Sequence, residues 1–181
     1  MTEYEIGAQG RARVWLFDQP DCLFVPADVQ ELTFSAGVAA VGGERSAAVE
    51  GCVHIGGYLA YGLAGARYVP DGSAQLRLRT YVSGQDGPEY LTSVASGLDV
   101  AYIGLPAEFS KSIATGVNNA LEKIVIGGGI LAFDRAAHGL VGSSPMFFAR
   151  LATVVTMLIG LKTSALSDDE IRATIRTLSF R

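Results

Sequence analysis

The hydrophobic period of this chain first turns helical near residue 105, and that change bounds the folds open to it. Up to about residue 103 the apolar residues alternate or run in short bursts between turn residues; from residue 105 they recur at helical spacing. The clearest alternation is AQLRLRTYV (74–82), with Leu76, Leu78, Thr80 and Val82 on one face and Arg77, Arg79 and Tyr81 on the other. The clearest helical stripe is Phe109, Ile113, Val117, Ala120, Leu121 and Ile124, with Pro106 near its start, where proline is tolerated. Strands first, then helices interleaved with one further strand, predict an α+β fold with helices packed on one face of a sheet.

The other segments are read in the same way. ARVWLFD (12–18), CLFV (22–25) and QELTF (30–34) are expected strands, and RSAAVEGCVHIGGYLAYGL (45–63) is expected to be two strands hinged at Gly56 and Gly57. SGQDGP (83–88) reads as a hairpin turn, EYLTSVA (89–95) as its return strand and LDVAYIG (98–104) as the next strand. GGG (127–129) stops the first helix, ILAFDRAAHGLV (130–141) returns to strand, and a second helix is expected over 144–162. In SDDEIRATIRTL (167–178), Ser167 and Glu170 form a capping box, and Asp168 and Asp169 suit the positive end of the helix dipole. The domain reading is a β-rich N-terminal segment (1–73) and an α+β region (74–181) forming one compact unit.

Composition narrows the function classes. The 181 residues are 49% apolar and 18% charged, with a net charge of −4. Residues 1–70 hold four arginines against eight acids, and the remainder balances ten against ten, so neither part has the basic excess that non-specific nucleic-acid binding requires. The opening MTEYEIGAQG has acids where a secretory leader needs Lys or Arg, and the longest apolar run, 151–161, is too short to span a bilayer. A cytoplasmic chain that does not enter a membrane is expected, with Cys22 and Cys52 as buried thiols rather than a disulfide. Two histidines, neither of them in a run of cysteines or carboxylates, predict no metal site, and no cofactor is expected.

The stretch HGLVGSSPMFFA (138–149) sets Ser143 and Ser144 before Pro145 and an apolar run. A serine there can cap a helix by accepting a backbone N–H, and proline fits the first helical position. The same geometry can hold a phosphate at Gly142, Ser143 and Ser144. The stretch is not G-x-S-x-G and nominates no third member of a triad, so no residue is expected to be catalytic.

Two family resemblances attach to these residues. GLVGSSPMFFA is similar to the phosphate loop of the GHMP small-molecule kinases, with Val141 inserted and Pro145 added. Over a longer span, IGLPAEFSKSIATGVNNAL (103–121) followed by GGGILAFDRAAHGLVGSSPMFFARLA (127–152) resembles domain IV of elongation factor G. Pro106, Glu108, Phe109, Gly116, Leu121, Phe133, His138, Ser143, Ser144, Met146, Phe148 and Arg150 fall in the order of that family's pattern. The resemblance covers residues 74–165. Both families imply one fold, the ribosomal protein S5 domain 2-like sandwich, with helices on one face of the sheet. The translation-factor likeness further implies a tip at which residues 83–88 lie beside 137–142, with Ser83, Gly84, Gln85, Asp86, Gly87, His138 and Gly139 as binding residues. No G-x-x-x-x-G-K-[ST] loop occurs, so the GTPase is not part of this chain.

The leading expectation is therefore a non-catalytic binding module with protein or ribosomal RNA partners. A small phosphate-binding protein or enzyme using residues 139–145 is the first alternative. A structural protein that homo-oligomerises through sheet edges is the second.

Overall fold

A computed structural model describes residues 1–7, 10–37, 43–84, 86–161 and 166–179. Its strands are β1 (Thr2–Ile6), β2 (Gly10–Leu16), β3 (Asp28–Ser35), β4 (Arg45–Ile55), β5 (Tyr58–Pro70), β6 (Gln75–Val82), β7 (Ala101–Ile103) and β8 (Gly129–Gly139). Its helices are α1 (Ala107–Leu121), α2 (Pro145–Gly160) and α3 (Asp168–Ile175), the last continued by a 3-10 turn at Arg176–Leu178. All eight strands join one sheet in the order β1-β2-β4-β5-β8-β6-β3, with β7 also paired to β8. Every neighbouring pair is antiparallel except β6 and β8, so the chain must cross over between these two, and α1 makes the crossing.

The change of period in the sequence marks the change of layer. Leu76 and Leu78 of β6, Leu131 and Phe133 of β8, and Ala64 and Ala66 of β5 form the floor of the main core. Phe109, Ile113 and Val117 of α1 and Phe148, Leu151, Val155 and Leu158 of α2 cover it, so both helices lie side by side on the same sheet face. The fold is α+β. Ser167 and Glu170 exchange the two bonds of the expected capping box at the start of α3. The hinge at Gly56 and Gly57 is present, both glycines having positive φ, and it joins β4 to β5 in register from Ile55↔Tyr58.

A second, smaller core lies on the opposite face. Trp15, Cys22, Ala48, Cys52, Tyr61 and Leu63 are covered there by Tyr90, Val94 and Ala95. The cover comes from residues 83–100, where the structure overturns one expectation. Residues 89–95 form no return strand beside β6, so the expected hairpin is not made. Residues 87–90 run irregularly along β7, with Gly87 N–H donating to Ile103 O, Ile103 N–H to Pro88 O and Tyr90 N–H to Ala101 O, and a series of turns follows, closed by Ser93 N–H to Tyr90 O, Ser96 N–H to Ser93 O and Leu98 N–H to Ala95 O. The segment's Ser, Thr, Gly and Asp content favours turns, and its Tyr90 and Val94 side chains anchor it to the sheet face.

Three smaller differences have equally local causes. The strand expected over 12–18 ends at Leu16 because Phe17 adopts a φ of 65° and turns the chain. Residues 22–25 form no strand: Leu23 makes one bridge to Arg135, in the gap that β6 and β7 leave along β8. The first five-residue strand, β1, was not expected, because TEYEI is too polar to announce itself. Cys22 and Cys52 are free and buried, and burial pushes the Cys22 thiol up to about 12.

Candidate binding surface

The double serine is the start of α2. Ser144 is its N-cap in extended conformation, accepting from Phe147 N–H at 3.3 Å, with Pro145 in the first turn. Ser143 does different work: its hydroxyl donates to Tyr61 O at 2.9 Å and accepts from Gly139 N–H at 2.8 Å, which stitches the loop onto β5. Replacing Ser144 with alanine should lower stability by about 0.5–2 kcal/mol, while Ser144→Asp should be near neutral, since aspartate also caps and suits the helix dipole. Thermal unfolding of the three proteins checks this.

The preceding loop resembles an anion cradle, but the protein supplies the anion. The Asp99 carboxylate accepts from Gly142 N–H at 2.8 Å and from Val141 N–H at 3.3 Å. Leu140 N–H donates to Val100 O at 2.9 Å. With Gly139 bonded to Ser143, the backbone N–H groups of residues 139–142 all have acceptors. The glycines at 139 and 142 make this possible: a Cβ on either would crowd Asp99 Oδ2. A phosphate at Gly142, Ser143 and Ser144 would have to displace Asp99.

The structure does bring Asp86 to the end of β8, by a route other than a hairpin. The His138 ring is buried between Tyr102 and Phe109, with centroid separations of 6.2 and 6.5 Å. Its Nδ1 lies 3.1 Å from Gly104 O and its Nε2 lies 3.0 Å from Asp86 Oδ1. Ser83 and Gly139 are buried as well, while Gly84 and Asp86 are exposed, Gly87 is half-buried and Gln85 lies outside the described residues. His138 therefore orders Asp86 from within and is not itself presented to solvent.

What is presented is apolar. The β4–β5 hinge, residues 96–100 and the start of α2 enclose a hollow of about 350 Å³ walled by Ile55, Tyr58, Leu59, Leu98, Val141 and Met146. A neighbouring hollow of about 440 Å³ shares Leu98, Asp99 and Val141 and adds Leu91, Val100 and Leu140. Tyr58, Leu91, Leu140 and Val141 are each more than 60% exposed, a cluster dense enough to mark a contact surface. Among the described residues, Asp99 and Glu89 are the charged ones lining the two hollows, and no Lys or Arg lines either.

Sequence reasoning missed one buried polar centre, on the second sheet face. Glu50 is fully buried in β4, and its Oε1 accepts from Tyr61 Oη at 3.0 Å and from Val94 N–H at 2.9 Å. Its Oε2 lies 3.6 Å from the Arg13 guanidinium. Burial raises the Glu50 carboxyl above its ordinary value and raises the Tyr61 phenol likewise. Arg11 donates to Val94 O and Arg13 to Thr92 O, so the three side chains together hold residues 90–95 on the sheet. The available signal was an acid in the small apolar run AAVEGCV. On the helix side, Arg150 and Arg176 border another hollow, but Arg150 donates to Thr177 O at 3.2 Å and ties the 3-10 turn to α2.

Fold and surface define an α+β protein with an exposed apolar, weakly acidic surface at one end of its sheet. No protein-family model matches the chain, and no curated protein is significantly similar to it. Among the described residues, no group of three or more His, Cys, Asp or Glu is placed to hold a metal ion, and no helix is long and apolar enough to cross a membrane.

Proposed function

We propose that this chain is a non-catalytic cytoplasmic binding module of the ribosomal protein S5 domain 2-like class, akin to domain IV of elongation factor G without the GTPase. Its partner is a protein, held at the surface around Val141. The order β4, β5, β6, β7, α1, β8, α2 supports the class, as do the shared face of the two helices and the parallel placement of β8 beside β6. The observation that carries the choice of partner is the exposed apolar cluster of Tyr58, Leu98, Val141 and Met146, with Asp99 beside it and no cation lining it. RNA binding draws its affinity from cations that neutralise phosphates, and this surface offers carboxylates instead. A protein segment with a large apolar side chain next to Lys or Arg fits both features: the apolar group fills the hollow, and the cation meets the field of Glu89 and Asp99.

Peptides with one central Leu, Met or Phe, flanked either by Lys and Arg or by Asp and Glu, test the reading by fluorescence anisotropy. The basic-flanked set should bind, and Val141→Asp should weaken it by about tenfold or more, or about 1.4 kcal/mol, with an unchanged melting temperature. Ribosomes pelleted at low salt should leave the protein in the supernatant. Co-sedimentation, or equal binding of both peptide sets, would sink the proposal.

A further inference from the structure

The two edges of the sheet are guarded very differently. At one, β1 is five residues long, alternates Glu3 and Glu5 with its buried positions, and carries α3 beside it, with Arg172 lying 5.0 Å above the Tyr4 ring. Short, charged and covered edges resist pairing with other chains. At the other edge, β3 runs for eight residues without proline, lysine or any irregularity in its register with β6. It is solvent-accessible on both faces, and Leu32 is 51% exposed. Among the described residues, none pairs with its outer side.

The ladder fixes which backbone groups face outward. Ala36 N–H donates to Ala74 O at 3.1 Å, continuing the register that ends at Ser35↔Gln75. By the two-residue repeat of an antiparallel pair, Phe34, Leu32 and Gln30 likewise turn their N–H and C=O groups toward β6. Val29, Glu31, Thr33 and Ser35 turn theirs away from it. Val29 N–H agrees with this, since it donates to Asp28 Oδ1 at 2.8 Å rather than to a strand.

We propose that β3 pairs antiparallel with β3 of a second copy of this chain, about a twofold axis at Leu32, so that two sheets become one. In that register the outward groups of Glu31 meet those of Thr33, and Leu32 meets its own counterpart. The charges agree with it. Glu31 and Thr33 pair with Arg79 and Arg77 of β6, so one row across the boundary reads Arg79, Glu31, Thr33, Arg77. Each Glu31, 2.6 Å from Arg79 of its own chain, thereby faces the Arg77 side of the other copy. A register centred on Glu31 would set two carboxylates directly opposite each other, which is unfavourable. On the helix face, pairing covers Leu32 and the neighbouring Phe34, which the free edge leaves partly in water. The contact is isologous and closes at two copies.

Sedimentation velocity over a concentration series tests this on the whole chain. Wild type should approach twice the 19.0 kDa chain mass. Thr33→Pro removes one outward N–H without touching the β6 ladder, a substitution that edge strands tolerate, and Leu32→Lys sets two ammonium groups together at the axis. Both variants should sediment as monomers with wild-type circular dichroism. In hydrogen exchange, the Glu31 and Thr33 amides should be protected in wild type and should exchange freely in Leu32→Lys. A wild type that stays monomeric throughout, or a dimer that survives both substitutions, overturns the proposal.

Discussion

Replacing Glu50 with alanine should lower the unfolding free energy by about 3–5 kcal/mol, the cost of removing one partner from a buried charge network. The loss is large because the carboxylate serves several groups at once. Without it, Tyr61 Oη and Val94 N–H lose their acceptor, and Arg13 loses its buried counter-charge while keeping Glu3. Glu50→Gln keeps an acceptor at Oε1 for Tyr61 and Val94 but gives up the charge beside Arg13, so it should lose less than Glu50→Ala at pH 7. Wild type and Glu50→Gln should part with pH. Burial raises the Glu50 carboxyl in the folded state, so the native state binds that proton more tightly than the unfolded chain does. Stability from this group therefore rises as pH falls from above the raised value toward the ordinary 4.5, and is flat below it. Asp71, Asp168 and Glu170 have lowered values and act with the opposite sign, but they are common to both proteins and cancel in the difference. Urea unfolding of wild type and Glu50→Gln at several pH values should show wild type gaining on the variant as the solution is acidified. A wild type that instead loses ground to the variant between pH 7 and the ordinary carboxylate range would show that Glu50 is held ionised.

Glu50 also shows where the sequence stops being informative. The alternation in β6 and the stripes of α1 and α2 were legible because each answers to one apolar layer, and period alone reports that. The Ser144 cap and the Ser167 capping box were legible because donor and acceptor lie three residues apart. Glu50 finds its partners across the β4–β5 pair, on β2 and in residues 90–95, at separations that no local pattern encodes. Asp99 reaches Gly142 from 43 residues away, and Asp86 reaches His138 from 52. Residues 89–95 look like a strand because Tyr90 and Val94 are apolar at the spacing of a strand face. Their actual role, capping the second sheet face, depends on the sheet already being there. The candidate surface was only partly readable for the same reason: Val141 and Met146 adjoin the serines in sequence, but Tyr58 and Leu98 join them only through the fold.

The second large effect is expected at Gly116, in the middle of α1. In an exposed helix, Gly→Ala gains about 1 kcal/mol from propensity alone. Here the sign should reverse. A Cβ at Gly116 would fall on the carbonyl oxygen of Ala149 and within 2.6 Å of Ala152 Cβ, because the backbones of α1 and α2 meet at this point. Thr153 Oγ1 confirms how close they are, lying 3.0 Å from Gly116 O while also reaching Ala149 O at 2.9 Å. A backbone carbonyl cannot rotate away as a side chain can, so the helices must separate, and they carry the main core between them. Overpacking should make Gly116→Ala less stable than wild type by about 1–3 kcal/mol, and Gly116→Leu by more than that. Thr115→Ala, one position away on the exposed side, should change stability by no more than a few tenths of a kcal/mol. Adding Ala152→Gly to Gly116→Ala relieves the Cβ contact but leaves the carbonyl contact, so it should restore only part of the loss. Thermal unfolding of these four variants decides the point. A Gly116→Ala protein as stable as wild type would mean that the helices do not cross this closely.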